Sequence, residues 1–151
     1  MGQWKIAGIG ALYGRQSNAN QEAYRDQLNM TPELEQQLRS KYPSLFSQNP
    51  DIWMKDGWYE LVDNLCGVIA HHVQYAYPEE LHAQFTVGQC KEKFAGCRFY
   101  MDHSDDFING AIAMAEAQSF HICEQCGNKG KRTNIAALLT LDALFFAIYW
   151  I

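Results

Sequence analysis

Trp58, Leu61, Val62, Leu65, Ile69 and Val73 recur at the spacing of a single helix face, and an apolar stripe of that width has to be covered by a second layer. The spacing predicts a helix that opens at Asp56-Gly57, follows the turn signal Asn49-Pro50-Asp51 and continues as far as Tyr75. The covering layer comes next. Beyond Pro78, the stretches Phe85 to Phe94 and Cys97 to Met101 are rich in aromatic and apolar residues, and Ala95-Gly96 between them reads as the connection of an antiparallel hairpin. A further helix is predicted with Ser104 as its N-cap and Asp105 and Asp106 in its first turn, where the helix dipole favours negative charge. Its face Ile108, Ile112, Ala115 and Ser119 is expected to lie on the hairpin. Upstream, Thr31-Pro32 starts a helix in which Leu34 and Leu38 share a face, and Pro43 ends it after Tyr42. The expected fold class is α+β: a short antiparallel hairpin packed against two to three helices, with a C-terminal cysteine knuckle and an apolar C-terminal helix.

A chain of 151 residues fits one domain with a real hydrophobic core. Residues 1 to 29 carry Gly2, Gly8, Gly10 and Gly14, then a polar run from Arg15 to Asn20, with no sustained apolar period. They are expected to form a poorly ordered N-terminal extension, and Met30 also reads as a translation start. Residues 30 to 128 are expected to form the core domain with its knuckle, and residues 129 to 151 an apolar C-terminal segment. From Ile135 to Ile151 only Thr140 and Asp142 break the apolar run. Its length approaches the lower limit of about 17 residues for a membrane span, with Lys129, Lys131 and Arg132 as a positive flank. Asp142 near its middle would cost about 2.5–3.5 kcal/mol on insertion. The segment is therefore expected as a helix or strand buried on the domain, in a partner or in a homodimer, with a membrane disfavoured.

Seventeen acidic residues against twelve basic ones leave a net charge of -5, which disfavours general affinity for nucleic-acid backbones. Five cysteines, two of them in a C-x-x-C pair, and the lack of a secretory leader point to reduced thiols and a cytoplasmic location. That pair, Cys123-Glu124-Gln125-Cys126-Gly127, has the spacing of half a zinc site, because two thiolates on a tight turn can face one tetrahedral ion. No cysteine or histidine follows it, so further ligands would come from upstream. His121 is the natural third ligand and His103 a candidate fourth; Cys66, Cys90, Cys97, His71, His72 and His82 complete the pool. Reduced structural thiols are the plain alternative, and a redox dithiol lacks the strand that usually leads into such a motif.

Other candidates have bland readings beside them. His71 and His72 are neighbours on a helix, about 100° apart, and do not chelate one ion easily; His72 is expected inward and His71 solvated. Asp102, Asp105 and Asp106 resemble a cation site but suit helix capping better. Lys91, Lys93 and Arg98 alternate with apolar residues on the hairpin and, with Tyr100, define either a solvated face or a partner-binding one. Trp53, Trp58, Tyr59 and Tyr75 are expected in the core or lining grooves. Cys66 with His72 or His103 would make a thiol dyad, yet a cysteine on the apolar side of a helix is normally inert packing. No nucleophile beside a base, phosphate loop or carboxylate pair appears in a motif, so no catalytic residue is assigned.

Gly57-Trp58-Tyr59-Glu60-Leu61-Val62-Asp63-Asn64-Leu65-Cys66, Gln89 to Tyr100 with Lys91-Glu92-Lys93-Phe94 and Arg98-Phe99-Tyr100, and the Cys123 knuckle stand in that order. Together they resemble a family of small, functionally uncharacterised bacteriophage and prophage proteins, over about residues 30 to 128. The family pattern is a G-W-Y/F-x-L-I/V-D-x-L-C helix, a V-K-E-K-F-G-x-L-R-F-Y hairpin, a helix and a C-x-x-C-G knuckle. Two departures stand out. The resemblance implies a second cysteine pair after the knuckle, where this chain has the apolar run from Asn134; and Cys90 and Cys97 occupy positions that are usually aliphatic. The resemblance implies a phage or prophage origin; with no catalytic constellation and an excess of negative charge, the expected function is that of a non-enzymatic accessory protein acting by binding a host or phage macromolecule, most naturally a protein, as an inhibitor of a host defence system would. A zinc-knuckle nucleic-acid binder or regulator and a thiol-dependent enzyme are the alternatives.

Overall fold

The apolar stripe from Trp58 to Val73 organises the chain. In the computed structural model, which describes residues 29–130 and the backbone of 132–134 and 148–150, Trp58 ends a 3-10 turn and the rest of the stripe lies on helix α2, Tyr59–Ala76. Leu61, Val62, Leu65, Cys66, Ile69 and Val73 are all buried there. Helix α1, Pro32–Lys41, precedes it and contributes Leu38 to the same core. A four-residue helix α3, Glu79–His82, follows, and the chain then turns into the sheet. Burying each large apolar side chain contributes on the order of 1.5–3 kcal/mol.

The sheet has three strands in the order β1-β2-β3: Ile52–Trp53, Val87–Lys93 and Gly96–Met101. Strand β1 was not expected from sequence. Its two residues pair in parallel with β2, Ile52 opposite Cys90 and Trp53 opposite Lys91. Strands β2 and β3 form the expected antiparallel hairpin, with Cys90 opposite Phe99, Lys91 opposite Arg98 and Lys93 opposite Gly96. Its connection is Phe94-Ala95 rather than Ala95-Gly96. Both turn residues have positive φ, 56° and 60°, the primed geometry whose twist matches the strands. Gly96 is instead the first residue of β3, and a Cβ there would press against the Phe120 ring.

Helix α4, Asp106–Ser119, packs on α2 and along β3, with Ile108, Ala115 and Ser119 buried and Ile112 half-buried. It covers the outer edge of the sheet. Cys97 N–H donates to Ser119 Oγ at 2.9 Å and Phe99 N–H to Glu116 Oε1 at 3.3 Å, so strand donors that would otherwise be open are satisfied. The N-cap of α4 is Asp105, whose Oδ1 accepts from Ile108 N–H at 2.8 Å; Ser104, expected in that role, donates to Asn109 Oδ1. Asp56 likewise does not cap α2: it sits in a 3-10 turn, Asp56–Trp58, and its Oδ1 accepts from Thr31 N–H at 2.7 Å.

The architecture is thus α+β, a small three-stranded sheet with four helices. Residues 1–28 of the expected N-terminal extension, and most of the expected apolar C-terminal helix, lie outside the described residues. At the C-terminus, Arg132–Asn134 (β4) and Ile148–Trp150 (β5) pair as antiparallel strands. No helix among the described residues is long and apolar enough to cross a membrane.

Candidate metal centre and binding face

Ile122 and Lys129 form an isolated antiparallel bridge, and between them the chain folds into the cysteine knuckle. Three backbone bonds set its shape: Cys123 N–H donates to Asn128 O, Gly127 N–H to Cys123 O and Gly130 N–H to His121 O, each at 2.8 Å. Gly127 takes φ +73°, where a side chain is disfavoured. Cys126 is exposed and Cys123 half-buried. The backbone N–H of Asn128, the neighbouring Cys123 thiol and the Asn128 amide, whose Nδ2 lies 3.4 Å from Cys126 Sγ, hold the Cys126 thiol below the ordinary cysteine value.

The knuckle is seated on the turn that starts α2. Gly57 N–H donates to Glu124 O at 2.8 Å, Lys55 N–H to Glu124 Oε1 at 3.0 Å, and the Trp58 indole Nε1–H to Ile122 O at 3.0 Å. Trp58 itself is completely buried. A Cβ on Gly57 would collide with the backbone at Cys123 O, Gly127 N and Glu124 O. Gly57-Trp58 and Cys123 to Gly127, two of the sequence blocks singled out above, are therefore the two halves of one contact.

As a metal centre the knuckle offers two sulfurs. His121 follows α4 directly, exposed, with its backbone engaged at both N and O, and among the described residues no group of three His, Cys, Asp or Glu side chains converges. The other candidates are placed elsewhere. Cys66, Cys90 and Cys97 are in the core, His72 Nε2 pairs with Asp105 Oδ2 at 2.6 Å, His82 Nε2 bonds Tyr77 O at 2.9 Å and His103 meets the Phe85 ring edge-on. A thiolate pair fits a soft, tetrahedral ion such as zinc.

No histidine among the described residues hydrogen-bonds Cys66, and burial pushes that thiol far above its ordinary value. Cys90 is raised as well, by its contact with the Cys97 thiol and then by burial. Asp105 is the hub of a polar cluster: besides capping α4 and pairing with His72, its Oδ2 accepts from Tyr77 OH at 2.6 Å, and Phe107 stacks on His72. Asp102 Oδ2 accepts from Thr86 Oγ1. A groove of about 560 Å³ lies beside the end of α1, and of the polar groups lining it Lys41 pairs with Asp63, Tyr42 OH donates to Asp63 O and His82 Nε2 bonds Tyr77 O.

The strand alternation sorts the hairpin cleanly. Cys90, Cys97 and Phe99 face the core, while Lys91, Lys93, Arg98 and Tyr100 share the opposite face. Trp53, expected in the core or in a groove, stands beside them: the parallel register places it opposite Lys91, and it is 42% exposed. Tyr75, also expected packed, is exposed on α2. Each cation of the sheet face lies near an aromatic ring, Lys91 Nζ 5.6 Å from Tyr100, Lys93 Nζ 5.3 Å from Phe94 and the Arg98 guanidinium 5.9 Å from Phe120. Arg98 also pairs with Glu116 at 3.3 Å. Phe94, at the hairpin tip, is 64% exposed. No protein-family model matches the chain, and neither does a curated protein or a solved structure.

Proposed function

We propose that this chain is an accessory protein, of phage or prophage type by its sequence resemblance, that works by non-catalytic binding to another protein through the outer face of its sheet. One observation carries the reading: Trp53, Tyr100 and, at the hairpin tip, Phe94 are exposed beside Lys93, which is exposed, and Lys91 and Arg98, which are half-buried on the same sheet face. Exposed Trp, Tyr and Arg are the residue types that dominate binding energy at protein interfaces. Phe94 adds a second indication, since a phenylalanine at φ 56° is strained and exposed at once, a combination that local stability does not favour. The lysines suit an acidic or mixed partner surface, and the burial of Cys66, Cys90 and Cys97 and the pairing of His72 with Asp105 support a non-enzymatic role. Inhibition of a host defence enzyme is the form of action we favour.

The aromatic and basic mixture also favours a second reading, a single-stranded nucleic-acid platform, in which bases stack on Trp53 and Tyr100 while Lys91 and Arg98 meet phosphates. The net charge of -5 opposes it. The two separate on one experiment. A partner captured from phage-infected cells on the full chain is titrated calorimetrically against the wild type, Trp53→Ala/Tyr100→Ala and the control Tyr75→Ala. A protein partner bound at least about 30-fold more weakly by the double variant, with Tyr75→Ala unchanged, is the expected result. Equal binding by the double variant contradicts the reading, and binding to oligonucleotides that falls steeply with salt favours the alternative.

A further inference from the structure

The knuckle presents half of a tetrahedral ligand set, and among the described residues nothing completes it. All five cysteines and all five histidines fall between Cys66 and Cys126, inside the described residues, and no third one converges on the pair. The pair is nonetheless built as a site. Cys123 and Cys126 stand at either end of one tight turn that is closed by backbone hydrogen bonds, and Glu124 and Ile122 fasten it to Lys55, Gly57 and Trp58. It also faces outward, with Cys126, Gly127, Asn128 and Lys129 all exposed. A two-thiol half-site on an outward-facing turn has one complement that needs no other protein, which is itself. Two-fold pairing of identical surfaces is the commonest form of association, and each copy then supplies what the other lacks.

We propose that two copies of this chain share one zinc ion, held by Cys123 and Cys126 of each in a four-thiolate tetrahedral site. The inference is independent of the sheet face. On binding, each of the four thiols releases its proton to solvent and forms one S–Zn bond, leaving a site of charge -2. The amide of Asn128, 3.4 Å from Cys126 Sγ, lies on the knuckle to offset part of that charge.

The test uses the full-length chain purified under reducing conditions. Zinc content by elemental mass spectrometry is measured beside molar mass by light scattering, before and after a chelator, and the chain is loaded separately with cobalt(II) as a spectroscopic probe. The expected result is one zinc per two chains, a dimer that falls to monomer on chelation, and a tetrahedral four-thiolate cobalt spectrum that saturates at one cobalt per two chains. Cys126→Ser is expected to lose metal and dimer together, and His121→Ala to keep both. Should Cys126→Ser fail to fold, the wild-type stoichiometry and cobalt spectrum decide alone. One zinc per monomeric chain overturns the proposal, as does protein that binds no zinc, or metal retained by Cys126→Ser and lost by His121→Ala.

Discussion

Replacing Gly57 with alanine places one methyl group inside the contact between the α2 turn and the knuckle. The new Cβ meets three backbone atoms, Cys123 O, Gly127 N and Glu124 O, none of which can swing aside as the end of a flexible side chain would. Overpacking of this kind costs about 1–3 kcal/mol. Separating the two segments to relieve it also breaks the hydrogen bond from Gly57 N–H to Glu124 O, for about 1 kcal/mol more. The sum, about 2–4 kcal/mol, corresponds to a fall in Tm of roughly 8–16 °C for a domain near 100 residues. Gly110→Ala is the matched control. It lies inside α4 with nothing within 4 Å of its Cβ position, so the same substitution should stabilise by about 0.5–1 kcal/mol through helix propensity. Thermal unfolding by circular dichroism reads both. A Gly57→Ala protein whose Tm stays within about 2 °C of wild type would refute the docked knuckle, whatever Gly110→Ala does.

Three further outcomes follow from particular contacts. At Asp105 burial works against ionisation, but the Ile108 N–H, the Tyr77 hydroxyl and His72 outweigh it and hold the carboxyl well below its usual range. Its stabilisation is therefore fully present above the unfolded value of about 3.9 and is lost as pH falls from there through the lower folded value. Asp105→Asn, which keeps a capping side chain, should be less stable than wild type at neutral pH and lose less on acidification below about pH 4, as read by urea midpoints; parallel acid limbs would contradict this. Alkylation of the chelator-treated, metal-free protein, followed by mass spectrometry at neutral pH, should modify Cys126 at least about ten-fold faster than Cys66 or Cys90, because its thiol is exposed and lowered while theirs are buried and raised. Equal rates would remove the distinction. Phe94→Asn, placing a residue tolerant of positive φ at the hairpin tip, should raise stability by about 1 kcal/mol and weaken partner binding; a loss of stability would show that Phe94 is there for the fold.

Much of the fold was legible because it is periodic. The stripe of α2 and the alternation of β2 and β3 each repeat several times, and repetition is what a sequence displays; the α1 face, Leu34 and Leu38, was legible from its Thr31-Pro32 start and Pro43 stop instead. Strand β1 is two residues long and pairs in parallel with a strand nearly forty residues later, so Trp53 carried no mark of facing outward. Gly57 was read as the opening of a helix; its constraint comes from the knuckle, whose bond to the neighbouring Trp58 spans 64 positions. Asp105 took the capping role from Ser104 because its second oxygen is also engaged, by His72 and Tyr77, and neither contact is visible along the chain. The hairpin face with Lys91, Lys93, Arg98 and Tyr100 was readable from alternation, whereas its aromatic partner Trp53 was not. The two-sulfur site was plain in the C-x-x-C spacing, and only the structure shows what it rests on.

The account's central claim is that the outer face of the sheet is where this chain meets its partner, and site-specific photocrosslinking tests it most directly. Benzoylphenylalanine is introduced in place of Tyr100 in one full-length protein and in place of Tyr75 in another, both exposed positions on different elements. Each is irradiated in cells carrying the partner. A protein adduct from position 100 and none from position 75 is the result the account requires. An adduct from position 75 with none from position 100, or an adduct from position 100 to nucleic acid alone, would contradict it.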